Sequence, residues 1–133
     1  MTSKATRTDR LLCCLLLLVL ATGCSTPARQ PVTTWEGTAA HVLLEYRGEA
    51  LAVYASGDFN DWTPQRSPFQ RMGGDRWELT LNLAPGEYRY LLAVETRDDW
   101  SLHLDPANPL RSEDGGGRAL SLLRVGNGNR VDD

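Results

Sequence analysis

The 133-residue chain carries only three cysteines, Cys13, Cys14 and Cys24, and none after them. A disulfide framework is therefore excluded for everything downstream, and stability there has to come from an apolar core. Lysine stops at Lys4, and no basic tract follows among the scattered arginines. That removes the electrostatic footprint of a nucleic-acid binder. The only two histidines, His41 and His103, fall on different expected strands, whereas a metal site needs a cluster. The glycine run within Glu113–Arg118 lacks the Lys-Ser/Thr of a phosphate loop. Asp98 and Asp99 are adjacent and point in different directions, whereas glycoside hydrolysis needs two carboxylates facing each other about 5–10 Å apart. No nucleophile–base pair is visible. The chain reads as a non-enzyme with no cofactor and no metal.

Long apolar runs are equally scarce. The one present, Leu11–Leu20, is ten residues long, half of the roughly 20 that span a bilayer as a helix. Lys4, Arg7 and Arg10 precede it, and the small residues Ala21, Thr22 and Gly23 lead into Cys24. That order is a secretory signal. The stretch LATGCS, Leu20 to Ser25, further resembles a bacterial lipoprotein signal. The resemblance implies removal of residues 1–23, acylation of Cys24 and attachment to the membrane through that lipid. Ser25 resembles the residue found in lipoproteins sorted to the outer membrane where two membranes exist. The other reading is plain secretion, with Cys24 a bystander. Without residues 1–23, basic residues fall from 14 to 11 and acidic ones from 17 to 16, leaving a net charge of −5. Attraction to anionic lipid then plays no part, and any membrane connection is covalent.

Residues 24–37 read as the lipidated cysteine and a tether, with Pro27, Pro31 and three threonines and no periodicity. Residues 38–126 read as short strands with turn signals, and 127–133 as a polar tail. HVLLEY puts Val42, Leu44 and Tyr46 on one face; ALAVYAS does the same for Leu51, Val53 and Ala55. RWELTLNL alternates most clearly, with Trp77, Leu79, Leu81 and Leu83 facing one way. A Pro85-Gly86 turn leads into EYRYLLAVE, with Tyr88, Tyr90, Leu92 and Val94 inward. WSLHL, a long loop from Asp105 to Gly117 and RALSLLRV complete the pattern. About seven short strands, each with a polar face and no helix between, predict an all-β fold: an antiparallel immunoglobulin-like β-sandwich of the early-set type.

The stretch SGDFNDWTP, Ser56 to Pro64, together with Pro85-Gly86-Glu87, Tyr88, Tyr90, Trp100 and Asp105-Pro106, resembles a family 48 carbohydrate-binding module. That family includes the glycogen-binding domain of the AMP-activated protein kinase beta subunit and the amino-terminal domains of isoamylases. The resemblance runs from about Val42 to Val125. It implies that Trp62 and Trp100 form an aromatic platform for an α-glucan, stacking on the apolar faces of the sugar. It also has gaps. Leu91 and Leu120 stand where binding members carry a lysine and an asparagine, and Gly115–Gly117 replace a leucine. Two functions stay open: a lipid-anchored envelope protein binding glycogen or maltodextrin, or a docking module for an envelope protein that has lost its sugar. Each tryptophan also has a structural reading, as a cap on the sandwich. Trp77 and Phe59 read as core, and Asn60 and Asp61 as turn residues bonding the local backbone.

Overall fold

A computed structural model describes residues 31–36 and 39–126. The expected signal segment, Cys24 and the polar tail lie outside them. Nine strands run through the described residues: β1 (Val32–Glu36), β2 (Ala39–Arg47), β3 (Ala52–Gly57), β4 (Gln70–Gly73), β5 (Arg76–Leu83), β6 (Gly86–Glu95), β7 (Trp100–His103), β8 (Arg111–Glu113) and β9 (Ala119–Val125). They form two antiparallel sheets, ordered β1-β2-β5-β4 and β3-β6-β9-β8. β7 adds to the second sheet on β6. The all-β sandwich expected from the alternation is the fold observed.

Period-two patterning places the core. Val42 and Leu44 of β2, Trp77, Leu81 and Leu83 of β5, Val53 and Ala55 of β3, and Tyr90, Leu92 and Val94 of β6 pack between the sheets. Each large side chain buried this way contributes about 1.5–3 kcal/mol relative to exposure. Trp77 is core, as its alternation implies, and its indole N–H donates to the carbonyl of Gly48 at 3.2 Å. The Arg71 guanidinium lies 5.5 Å from the centre of its ring.

Three expectations need correction. Val32–Glu36, assigned to the tether, is a strand, paired with β2 from Val32↔Leu43 to Glu36↔Ala39. Its two threonines are good strand formers, and an edge strand with one partner needs no alternation. The strand total is nine rather than about seven; β1, β4 and β8 are short edge strands whose described side chains are mostly exposed and show no alternation. Leu51 does not face the core. It lies before β3, exposed, with its N–H bonded to the carbonyl of Glu95 at 2.7 Å.

Inward Tyr90, Leu92 and Val94 fix which residues of β6 point outward: Arg89, Leu91, Ala93 and Glu95. Leu91 and Ala93 are nevertheless buried, as are Leu120 and Leu122 on β9. None of the four belongs to the core cluster between the sheets. The outer face of the β3-β6-β9 sheet thus carries a buried apolar patch of its own, flanked on β6 by Arg89 and Glu95.

Candidate saccharide-binding face

The FNDW loop is built outward from its buried residues. Gly57 ends β3 opposite Tyr90, and a β-carbon there would fall 2.4 Å from the Arg89 carbonyl oxygen, so only glycine fits. Phe59 packs against the core, with its ring centre 6.2 Å from that of Tyr90 and 6.5 Å from that of Tyr88. Asn60 is buried. Its Oδ1 accepts from the Gly57 N–H at 3.0 Å, and its Nδ2 donates to the Ala55 carbonyl and to Ser67 Oγ, both at 2.9 Å. One amide side chain therefore closes the loop on both sides, replacing backbone partners.

With Phe59 and Asn60 held inside, the chain must reverse sharply. Asp61 and Trp62 do this in the left-handed region, at φ 54° and 57°. For a bulky aromatic this conformation is a genuine outlier, of the kind that persists only where the surroundings enforce it. Here the Trp62 N–H donates to the Gly57 carbonyl at 3.0 Å, and its indole N–H to Asp58 Oδ1 at 3.2 Å. Trp62 as a whole residue is 38% exposed. Asp58 is itself fixed, accepting from the Arg89 backbone N–H at 2.9 Å and from the Arg89 guanidinium at 3.0 Å. Partial burial pushes the Asp58 carboxyl up, but the bonds from Arg89 and Trp62 together outweigh it and hold the group below its ordinary value.

Trp100 opens β7 opposite Glu95, and Leu102 pairs with Ala93. Both follow the outward alternation of β6, and they are 48% and 44% exposed. Thr96–Asp99 makes the reversal into β7: the Thr96 N–H donates to the Asp99 carbonyl at 2.8 Å, and the Asp99 N–H to Thr96 Oγ1 at 3.1 Å. Beyond β7 the chain is pinned by a buried polar network. The Tyr90 hydroxyl donates to Asp105 Oδ2 at 2.6 Å, Asn108 Nδ2 donates to the Tyr90 hydroxyl and to the Leu122 carbonyl, and the Asp105 N–H donates to Ser121 Oγ at 2.8 Å. Burial raises the Asp105 carboxyl, and the bonds it accepts only partly offset that. Burial, then the neighbouring Asp105 charge, raises the Tyr90 phenol.

Trp100 is thus exposed on β7 beside the last residue of β6, and Trp62 is exposed on the loop after β3, tied through Asp58 to Arg89 in the first half of β6. Leu102, which sequence reasoning did not single out, is exposed beside Trp100 on β7; its signal was the spacing of two from Trp100. Asp58 was also missed, since its role depends on the register of β3 against β6. Leu91 and Leu120 are buried, and continuing the β6–β9 register by one step sets them opposite each other. The remaining candidates stay apart. His41 bonds Glu36 and His103 bonds Ser101, and no group of metal-ligating side chains occurs among the described residues. Asp98 and Asp99 sit side by side in a hairpin turn.

The architecture is an immunoglobulin-like sandwich with two tryptophans exposed beside its second sheet. The model of the family Carbohydrate-binding module 48 (Isoamylase N-terminal domain) matches residues 33–107, more than half of the chain, and the protein belongs to that family. No curated protein sequence matches the chain. Among solved structures, the enterochelin esterase of Shigella flexneri is similar with a TM-score of 0.58 and 19% identity. The match covers 73% of this chain and 33% of the esterase, so the chain spans about a third of that enzyme's length. At that identity the likeness concerns the fold alone.

Proposed function

We propose that the protein is a non-catalytic, lipid-anchored envelope protein that binds an α-glucan of the glycogen or maltodextrin kind through Trp62 and Trp100. The observation that carries this reading is the presentation of Trp62. A large apolar ring is held half-open to water in a strained backbone conformation, with its only polar atom tied back to Asp58. The exposed part of such a ring suits the C–H side of a pyranose. Membership in the carbohydrate-binding family supports the same reading. The membrane part rests on the lipoprotein-like LATGCS stretch, with Cys24 as the acylated residue. Retention on insoluble starch tests the glucan. The wild-type chain is retained and a Trp62→Ala, Trp100→Ala double variant is not; equal behaviour of the two sinks the proposal.

A second reading is supported by the outer face itself. Leu91 and Leu120 are buried and apolar where sugar-binding relatives would offer polar groups. On that reading the face docks an envelope protein, and a chain that ignores every glucan while retaining one protein through Trp62 and Trp100 establishes it.

A further inference from the structure

The turns at one end of the sandwich enclose a cleft that neither tryptophan lines. The Gly48 N–H donates to the Asp75 carbonyl at 2.9 Å, which ties the β2–β3 turn to the β4–β5 turn. The bond from Leu51 to Glu95 ties the first of these to the end of β6. The space so framed is about 570 Å³, within the range of small-ligand sites. Ala50 and Leu51 supply its apolar part, and Leu51 is left 59% exposed. Glu49, Arg71, Arg97 and Asp98 supply two charges of each sign. These charges do not satisfy one another: among the described residues, none of the four belongs to an ion pair. Arg71 is fixed in place instead. Its Nε and Nη2 donate to the Gly74 carbonyl at 3.0 and 2.9 Å, its guanidinium lies over Trp77, and Nη1 has no partner among the described residues. An anion alone would meet two carboxylates here, and a cation alone two guanidiniums. A ligand carrying both signs matches the cleft.

β1 shows where this cleft sits relative to the expected anchor. Val32 pairs with Leu43 and Glu36 with Ala39, so β1 runs away from the Arg47 end of β2, and the chain enters it from the end that carries the cleft. Resting on the lipid-anchored reading above, we propose that the cleft seats the headgroup of a bilayer phospholipid with a phosphate beside a primary ammonium. The phosphate faces Arg71 and Arg97, whose planar forks suit its oxygens. The ammonium faces Glu49 and Asp98 and donates its N–H bonds to them, which a quaternary ammonium cannot do. Leu51 then lies against the apolar part of the lipid. The headgroup has no net charge, so the contact needs no attraction between the acidic domain and the membrane as a whole. Exposed ion pairs are individually weak. The contact therefore counts where a lipid on Cys24 already holds the domain among the headgroups at high effective concentration. It turns the cleft end toward the bilayer and leaves the outer face of the second sheet clear of it.

Titrating the full chain with glycerophosphoethanolamine, the water-soluble headgroup, tests the cleft apart from the anchor. Amide NMR shifts fall on Glu49–Leu51 and Thr96–Asp98, and binding is several-fold tighter than that of glycerophosphocholine, inorganic phosphate or alanine. Arg97→Gln and Glu49→Gln, both at exposed turn positions, each remove that preference while circular dichroism stays unchanged. Sedimentation with vesicles tests the source. The Cys24→Ser chain is retained several-fold more by mixed phosphatidylethanolamine–phosphatidylcholine vesicles than by phosphatidylcholine alone, and adding Glu49→Gln erases the difference. Equal binding of all four solutes, or a preference that survives both substitutions, overturns the proposal. Headgroup binding in solution with no difference between the vesicles assigns the cleft to a free phosphoamine and overturns the lipid source. A wild-type chain that takes up no labelled palmitate yet passes both tests overturns the anchored reading and leaves the cleft assignment standing.

Discussion

The indole N–H of Trp62 donates to Asp58 Oδ1 at 3.2 Å, and the same carboxylate receives the backbone and side chain of Arg89. A residue on the loop is thereby referenced to the rigid centre of the second sheet. Asp58 thus holds the Trp62 indole through its one polar atom.

Replacing Asp58 should therefore uncouple Trp62 from the sheet. Asp58→Ala leaves the indole free to rotate, raises its quenching by acrylamide and weakens glucan binding several-fold. Asp58→Asn keeps an acceptor for the indole and retains more of the binding. If both variants bind as the wild type does while the indole becomes more mobile, orientation of Trp62 is unimportant to the site.

Asn60 closes the same loop from inside. Asn60→Ala deletes three hydrogen bonds and strands the Gly57 N–H and Ala55 carbonyl in a buried setting. The expected loss is about 2–3 kcal/mol of stability. Each kcal/mol is worth about 4–8 °C in Tm for a domain of this size. Thermal unfolding followed by circular dichroism measures it, and a fall of under a degree contradicts this role.

Stability should respond to pH in two opposed ways. Asp105 has its carboxyl raised in the folded state, so the fold takes up that proton before the unfolded chain does. Its contribution strengthens as pH falls from neutral through the raised value, and is complete below the ordinary carboxylate range near 4. Asp58 and Asp114 are lowered, Asp114 by bonds from the Arg118 and Gly116 backbone, so their contributions are present above that range and vanish as pH falls through their folded values. Urea midpoints should rise from pH 7 into mild acid and drop below about pH 4. Asp105→Asn removes the rise and leaves the drop; a rise that persists in the variant belongs to another group.

The anchor has its own check. Cys24→Ser should move the protein from the membrane fraction to the soluble one and abolish incorporation of labelled palmitate. Unchanged partitioning without label excludes the lipid.

Much of the sandwich was legible because β2 and β5 each bury mainly one face, and alternation records that directly; β6, buried on both faces from Tyr90 to Val94, was legible as an apolar run after a turn. β1, β4 and β8 left no such record, being short edge strands whose described side chains are mostly exposed. At the candidate site, FNDW announced a loop, and Asn60 was read as a turn residue because an amide can replace backbone partners. Asp61 was read in the same way, but its carboxylate instead meets Arg66 at 3.2 Å. The links from Asp58 to Arg89 and from Tyr90 to Asp105 were invisible. Each joins residues 31 and 15 positions apart, respectively, and depends on a register that local pattern does not specify. The positions of Trp62 and Trp100 beside β6 were hidden for the same reason: a list of aromatic residues says nothing of the strand neighbours each one meets.

The strand at Val32–Glu36 changes how far the domain can stray. With acyl chains on Cys24, as proposed, only the seven residues 25–31 lie between lipid and folded protein. Fully stretched they reach about 25 Å, less than the width of the sandwich they hold. Such a leash keeps the module grazing the headgroups, and a polymer caught on its sheet would be laid down as a coat on the bilayer rather than gathered from the surrounding fluid.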